Sequence, residues 1–556
     1  MLGKRRSDLL GLLFVLLSSW VLIYQITHRL DIVATDDDVY FRNGLNATWR
    51  NLPPTQMAPL FSLWYIIIQA FTGNVISTYY VSWAIMSVLP GLGFYALLRS
   101  LRVGVPTSVW LTVFFLFCPL NFPLSLKVSV FTMLWLMGGL VVANRTVSPL
   151  GKLVAAAAGA LLATYGRPEF YLGFILLSIL AAGYWFWQRR RQGTQTSETA
   201  HLPYALISLV GVAAVLVLWL GFPLAGGRSH IAFGQHFAMN YAVWHPGFPF
   251  SPWMHSQEFI RAGFGRDITS MGDAFFLNPS MFMKHVGQNL INLVKMTAQM
   301  LQDVLITPWL SRLVFPGRRY LILAMLVTIL GITNWKQSLI NWRAGFRRDG
   351  WFWVCVLLCI APTFISCILI YPREHYVVFH LLAYIPLAGV LLRDWATRPL
   401  LAKQPASLAY IATTLLLGVF LWPHWQTARQ PRPRPIAHLL TGLQQIPVQG
   451  HVNMIGSVPL LYKLYLGENW NFDFLEQYRP KDMQAFMAER KINCVYMRPE
   501  MVAEYGKDTY FAQLVADPGS LGFTRYPVSP TETAQPDRCV LVKNELVAAN
   551  HSPRIP

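Results

Sequence analysis

Long apolar runs alternate with short polar breaks along most of this chain. Eleven runs have the length and polarity of membrane helices: 9–27, 76–98, 107–122, 128–142, 150–165, 170–187, 204–222, 320–335, 351–371, 376–392 and 407–422. Two other segments need separate treatment. The run 58–71 is apolar but short and follows Pro53-Pro54, which predicts a helix at or dipping into the membrane interface. In 281–305, Phe282, Val286, Leu290, Leu293, Leu301 and Val304 recur at helical spacing among polar residues. That pattern predicts an amphipathic helix packed on the bundle rather than a crossing.

The basic residues orient the runs. With Lys4-Arg5-Arg6 in the cytoplasm, alternate breaks carry Arg99 and Arg102, then Arg145 and Lys152, then Arg189-Arg190-Arg191. Later breaks on the same side carry Lys336, Arg343, Arg347 and Arg348, then Arg393, Arg398 and Lys403. All obey the bias of Lys and Arg toward the cytoplasmic side. An odd number of crossings sends the C-terminal part outside. No small-residue cleavage site follows the first run, so it reads as an uncleaved first helix. Large outer loops are expected at 28–73 and 223–319.

Past the stiff Arg432-Pro433-Arg434-Pro435 linker the period changes. HVNMIGSV, INCVYMR and RCVLVKN read as strands and 481–491 as a helix. The whole pattern predicts a mainly α, polytopic membrane helix bundle over 1–424 and a small extracytoplasmic α/β domain over 425–556.

Composition agrees. Apolar residues make up 54% of 556 and charged residues 13%, about half the charged share of a soluble chain. The net charge of +19 does not imply nucleic-acid binding, because the basic residues sit in short clusters that set topology. Of six cysteines, Cys355, Cys359 and Cys367 share one apolar run and read as packing residues. Cys494 and Cys539 are the two in the tail, where an oxidising compartment would permit a disulfide.

Candidate chemistry gathers at the expected outer breaks. Asp36-Asp37-Asp38 follows the first run in a chain poor in acids. Helix capping accounts for one or two such residues. A third exceeds that need, and carboxylates at a membrane mouth suit a general base or a divalent metal, Mg or Mn, at Asp37 and Asp38. Arg167 and Glu169 lie in a very short outer turn, as do Arg373 and His375. Both arginines break the local charge bias, and a guanidinium fork at a membrane rim suits a phosphate. The alternatives are a helix start at Pro168 and a rim ion pair with Glu374. His375 could protonate a leaving group or be structural. In 223–319, Tyr241, Trp244 and Trp253 could stack on a sugar, though an interfacial aromatic belt is the simpler reading, and Lys127 reads as a snorkelling residue.

At these residues the chain resembles the GT-C superfamily of integral membrane glycosyltransferases, in particular its mannosyl- and arabinosyltransferase-like branch. That branch carries a motif close to DDAYI-x-x-R-x-x-x-N in the first outer loop, and DDVYFRNGLN supplies Asp37, Asp38, Tyr40 and Arg42. A Thr-x-Pro-Leu-Trp-like segment follows there, loosened here to TQMAPLFSLW, and an Arg-Pro-Glu or Arg-Pro-Asp turn is matched by Arg167-Pro168-Glu169. The extra Asp36 and the spacing after Arg42 depart from the pattern. The resemblance implies a sugar donor linked to polyprenyl phosphate and an acceptor that is a glycan, lipid or protein of the cell envelope. Catalysis would fall to Asp37 or Asp38, with Asp36 beside them. Arg167, Arg373 and His375 would bind the donor phosphate, and Tyr40, Arg42 and Glu169 the substrate. A bacterial inner membrane would house such an enzyme. The competing expectations are a transporter or lipid flippase, which needs ionisable groups at membrane depth, and a lipid-linked glycan ligase or polymerase.

Overall fold

The computed structural model describes residues 2–32, 36–122, 127–192, 197–225, 228–253, 255–305, 333–396, 406–457, 462–528 and 533–547. Side chains are described for these except at 2–5, 36–38, 56, 192, 197–203, 228–229, 305, 406–407 and 476. The chain divides into two compact units. One comprises Met1–Tyr24, Asn43–Ile68 and Val81–Arg429; the other comprises Gln25–Arg42, Gln69–Tyr80 and Gln430–Pro556.

The first unit is a polytopic helix bundle. Seven helical stretches among the described residues are long and apolar enough to cross a membrane: Arg6–Ile23, Val75–Ser100, Lys127–Arg145, Phe170–Arg191, Gly350–Leu369, Glu374–Arg393 and Leu408–Ala428. Pro59–Thr72, Val105–Leu116, Pro149–Thr164 and Tyr204–Leu220 are shorter apolar helices. Every expected run is thus helical except 320–335, most of which lies outside the described residues. Large apolar side chains remain exposed, such as Leu218 at 87% and Val419 at 70%. In water such a surface would aggregate; in a bilayer it is the solvated face. Small residues allow close packing where apolar attraction to lipid is no different. A Cβ on Gly139 would lie 2.9 Å from the Gly159 Cα and 2.9 Å from the Ala155 carbonyl. The helices Lys127–Arg145 and Pro149–Thr164 therefore touch backbone to backbone.

One end of the bundle gathers ion pairs and bonds to backbone carbonyls. There Arg99 pairs with Asp8 at 2.7 Å, and Arg393 bridges Asp349 at 2.9 Å and Asp394 at 2.6 Å. Arg393 also reaches the Leu101 carbonyl, and Lys152 the Ala143 carbonyl at 3.2 Å. These residues come from breaks that the charge pattern assigns to one side. The amphipathic helix Pro279–Leu305 packs on Gly350–Leu369, as its pattern predicts.

The second unit is built on a five-stranded sheet of order β2-β1-β3-β5-β4. The strands are β1 (Val452–Gly456), β2 (Trp470–Phe474), β3 (Cys494–Met497), β4 (Phe523–Pro527) and β5 (Cys539–Lys543). Strand β1 runs parallel to β2 and β3, while β5 is antiparallel to β3 and β4. The helix Met483–Glu489 covers the sheet, within the stretch 481–491 whose pattern predicts a helix. The register rules out the disulfide that the compartment would permit. Cys494 faces Val542 and Cys539 faces Met497, so the cysteines sit three residues apart along the ladder and on opposite faces. That is ~10 Å along a strand, beyond the span of a disulfide. Both are free and buried.

The segment Gln25–Arg42 belongs to this unit, and Asp31 fastens it. Its carboxylate accepts the Ile436 N–H at 3.0 Å and the Ala437 N–H at 2.9 Å, at the start of the helix Pro435–Gln445. Two orphan donors of that helix are thereby satisfied. The Tyr80 hydroxyl donates to the Leu30 carbonyl at 3.0 Å, a second tie in the same unit.

Candidate functional site

The helix Pro149–Thr164 ends at a tight turn before the helix Phe170–Gln192. Gly166 permits that turn, because a Cβ there would run into the Thr132 hydroxyl. Arg167 follows, and its N–H caps back onto the Ala163 carbonyl at 2.9 Å. Its side chain is 12% exposed and held on three sides. Nε donates to Glu169 Oε1 at 2.6 Å, and Nη1 donates to Ser129 Oγ at 2.7 Å. The guanidinium lies 4.5 Å over the ring of Tyr376.

That last contact joins the two arginine-bearing turns. Tyr376 stands in the helical turn Glu374–Val377, which Arg373 opens: its carbonyl accepts the Tyr376 and Val377 N–H groups at 2.9 and 3.0 Å. Phe170 against Phe379, 4.7 Å between centroids, seals the same junction. Arg167 and Arg373 therefore share one end of the bundle. His375 is 7% exposed and packs on Tyr376 at 4.4 Å.

The loop 223–319 supplies the neighbours of the second arginine. Arg373 lies 5.3 Å over the ring of Trp253. His236 stacks on Tyr371 at 5.5 Å and meets the edge of Trp253 at 5.7 Å. Tyr241 is buried with Phe237, Phe248 and Phe259 in a local core. Tyr241 thus packs in a local core, and Trp253, 44% exposed, carries Arg373 on its ring. Lys127 departs from expectation. It is 1% exposed; its ammonium donates to the Asn121 carbonyl at 2.7 Å and Ser87 Oγ at 3.2 Å and sits 4.4 Å over Trp83. Lys127 is the first residue of its helix, and helical side chains lean toward the N-terminus, so its stem folds back onto the preceding loop.

Asp36, Asp37 and Asp38 open the helix Asp36–Leu45, as expected of acids in a first turn. Their side chains lie outside those described, and with them the expected metal site. Among the described residues no group of three or more His, Cys, Asp or Glu could hold a metal ion. Tyr40 is buried and Arg42 exposed, and both belong with the acids to the tail unit.

No family model and no curated protein matches the sequence. Similar solved structures include ArnT from Cupriavidus metallidurans, once bound to undecaprenyl phosphate and once in the apo state. Each is 14% identical over 98% of this chain and 99% of that chain, with a TM-score of 0.48. A likeness at that level leaves the reading to the residues themselves.

Proposed function

We propose that this protein is a membrane glycosyltransferase of the GT-C type, moving a sugar from a polyprenyl-phosphate-linked donor to an acceptor in the cell envelope. One observation carries the reading. Arg167 and Arg373 come from distant turns joined at Tyr376, which the Arg167 guanidinium covers and whose N–H the Arg373 carbonyl accepts, and both depart from the charge bias of the expected cytoplasmic breaks. A membrane protein gains nothing in topology from cations there, whereas a lipid phosphate at the rim needs them. Outside the cytoplasm nucleotide sugars are absent, so a lipid-linked donor is the chemistry such a site would use.

In this mechanism the acceptor hydroxyl attacks the anomeric carbon. The new bond forms from that oxygen as the bond from the anomeric carbon to the phosphate oxygen breaks, with inversion. Asp37 or Asp38 takes the hydroxyl proton. The departing polyprenyl phosphate carries the negative charge that Arg167 and Arg373 stabilise. Glu169 orients Arg167, and the tail unit contributes to acceptor binding. The bundle would sit in a bacterial inner membrane with the arginine-bearing end and the tail outside.

The test is transfer from a short-chain polyprenyl-phosphate sugar by purified protein, with Asp37→Asn and Asp38→Asn alongside. Both variants should fold and lose most or all transfer. Full activity in both would remove the acids from the mechanism.

A further inference from the structure

The loop 223–319 carries two copies of the spacing His-x-x-x-Asn, His236 with Asn240 and His285 with Asn289. The first pair lies on the helix Arg228–Trp244 and the second on Pro279–Leu305. Residues four apart share a helix face. Both pairs face inward: exposure is 4% and 3% for the first and 0% for both members of the second.

These side chains converge on the end of the helix Gly350–Leu369, three residues before Arg373. A helix end leaves carbonyls without intrahelical partners. Asn289 Nδ2 donates to the Ile368 carbonyl at 3.0 Å and the Ile370 carbonyl at 3.1 Å. His285 Nε2 donates to the Ile370 carbonyl at 3.1 Å. Asn240 Nδ2 then donates to His285 Nδ1 at 3.0 Å and to Asn289 Oδ1 at 2.8 Å. The Ile370 carbonyl can only accept, so His285 carries its proton on Nε2 and Nδ1 accepts from Asn240; Asn289 Nδ2 also lies 3.0 Å from Nε2 and turns its hydrogens to the Ile368 and Ile370 carbonyls. On the other side of the turn His236 Nδ1 donates to the Ala232 carbonyl at 2.6 Å, while its ring stacks on Tyr371 and abuts Trp253. Trp253 in turn carries the Arg373 guanidinium.

From this geometry we infer that His285 and Asn289 are positioning residues for Arg373: a buried amide–imidazole latch through which the loop 223–319 seats the phosphate-binding turn. The inference rests on the proposed role of Arg373. Apolar side chains here would leave the Ile368 and Ile370 carbonyls buried without partners, so the polar set also caps the helix end. What the polar set adds is a fixed position for two backbone carbonyls, and hence for the turn they begin. Histidine and asparagine at these positions make loop 223–319 part of donor recognition without touching the donor.

The test uses the full chain in lipid nanodiscs, with farnesyl phosphate as the binding probe and hydrogen exchange of the 371–377 backbone as a second readout. Arg373→Ala should weaken probe binding at least tenfold. His285→Ala and Asn289→Ala should each weaken it about fivefold to tenfold and speed exchange at Tyr376 and Val377. His285→Gln keeps a donor for the Ile370 carbonyl and should recover most of the affinity. In an Arg373→Ala background the latch substitutions should add less than twofold. If Arg373→Ala binds the probe normally, the role of Arg373 falls and the latch inference with it. If Arg373→Ala is weak but the latch variants bind and exchange as the parent does, only the latch is overturned. Latch variants that weaken binding to the same extent with and without Arg373 overturn it too.

Discussion

Replacing Arg167 with alanine removes its contacts with Glu169, Ser129 and Tyr376 at once. Its bonds to Glu169 at 2.6 Å and Ser129 at 2.7 Å are charge-assisted, and such bonds contribute ~1.5–3 kcal/mol each. The Tyr376 face adds about 1 kcal/mol. The substitution also strands the Glu169 carboxylate, which is 20% exposed. Partial access to water reduces both the gain and the penalty, so the net loss of stability should be ~2–4 kcal/mol. The double variant Arg167→Ala/Glu169→Ala removes the stranded charge as well. It should therefore lose less than the two single losses combined, with a coupling of ~1–3 kcal/mol. Donor use should report separately from stability. If Arg167 holds the donor phosphate as proposed, its loss should weaken apparent donor affinity roughly tenfold to a hundredfold. Glu169→Gln, which keeps the cation and the Ser129 bond, should shift it much less. Thermal melts in detergent and titration with a short-chain polyprenyl-phosphate sugar give both quantities. Additive losses with no coupling, or an Arg167→Ala enzyme with the parent's donor dependence, would refute the argument.

Three further outcomes are expected. Burial raises the thiol pKa of both tail cysteines, Cys539 to about 11 and Cys494 higher; both should resist maleimide in the folded protein and be recovered as alkylatable thiols on unfolding, and a disulfide-linked peptide in non-reducing mass spectrometry would contradict the register. Gly159→Val would drive a side chain into the Trp135 carbonyl and the Gly139 backbone and should cost at least ~1–3 kcal/mol, so a variant melting with the parent would show that those helices are not in contact. Burial lowers the His285 pKa from 6.5 to about 4, so the unfolded chain takes up a proton at a pH where the folded protein does not. Stability from this group is complete above about pH 6.5 and is lost progressively toward pH 4, by up to about 3 kcal/mol; the parent should lose stability over that range more steeply than His285→Gln, and parallel curves would sink the assignment.

The bundle was legible because a bilayer requires continuous apolar helices, and the runs from 76–98 to 407–422 record that requirement residue by residue. The central strands of the tail were legible for a similar reason: β1, β3 and β5 are almost wholly buried and read as apolar runs. The edge strands β2, with Asn471 and Asp473, and β4, with Arg525, are half wet and gave no such signal. The arginine-bearing turns stood out because, like Lys127, they put a cation in a short break where the expected topology has few. Their partners did not. Ser129, Tyr371 and Tyr376 are ordinary residues in ordinary runs, and tertiary contact alone gives them a role. The repeated His-x-x-x-Asn spacing was a usable signal, two polar pairs on the apolar faces of amphipathic helices. A search for metal ligands passes over it because its bonds go to backbone carbonyls. The cysteine register is likewise a property of the sheet and not of INCVYMR or RCVLVKN.

The Asp31 clamp sets an order of events during biosynthesis. Its partners Ile436 and Ala437 lie 405 and 406 residues further along the chain. At ribosomal rates of about 5–20 residues per second, the segment leading to Asp36 emerges some 20–80 s before the helix that fastens it exists. Through that interval the bundle inserts helix by helix while its acidic loop has nothing to close upon. The acidic segment is fastened last, when the distal part of the polypeptide returns to meet one of the earliest parts made.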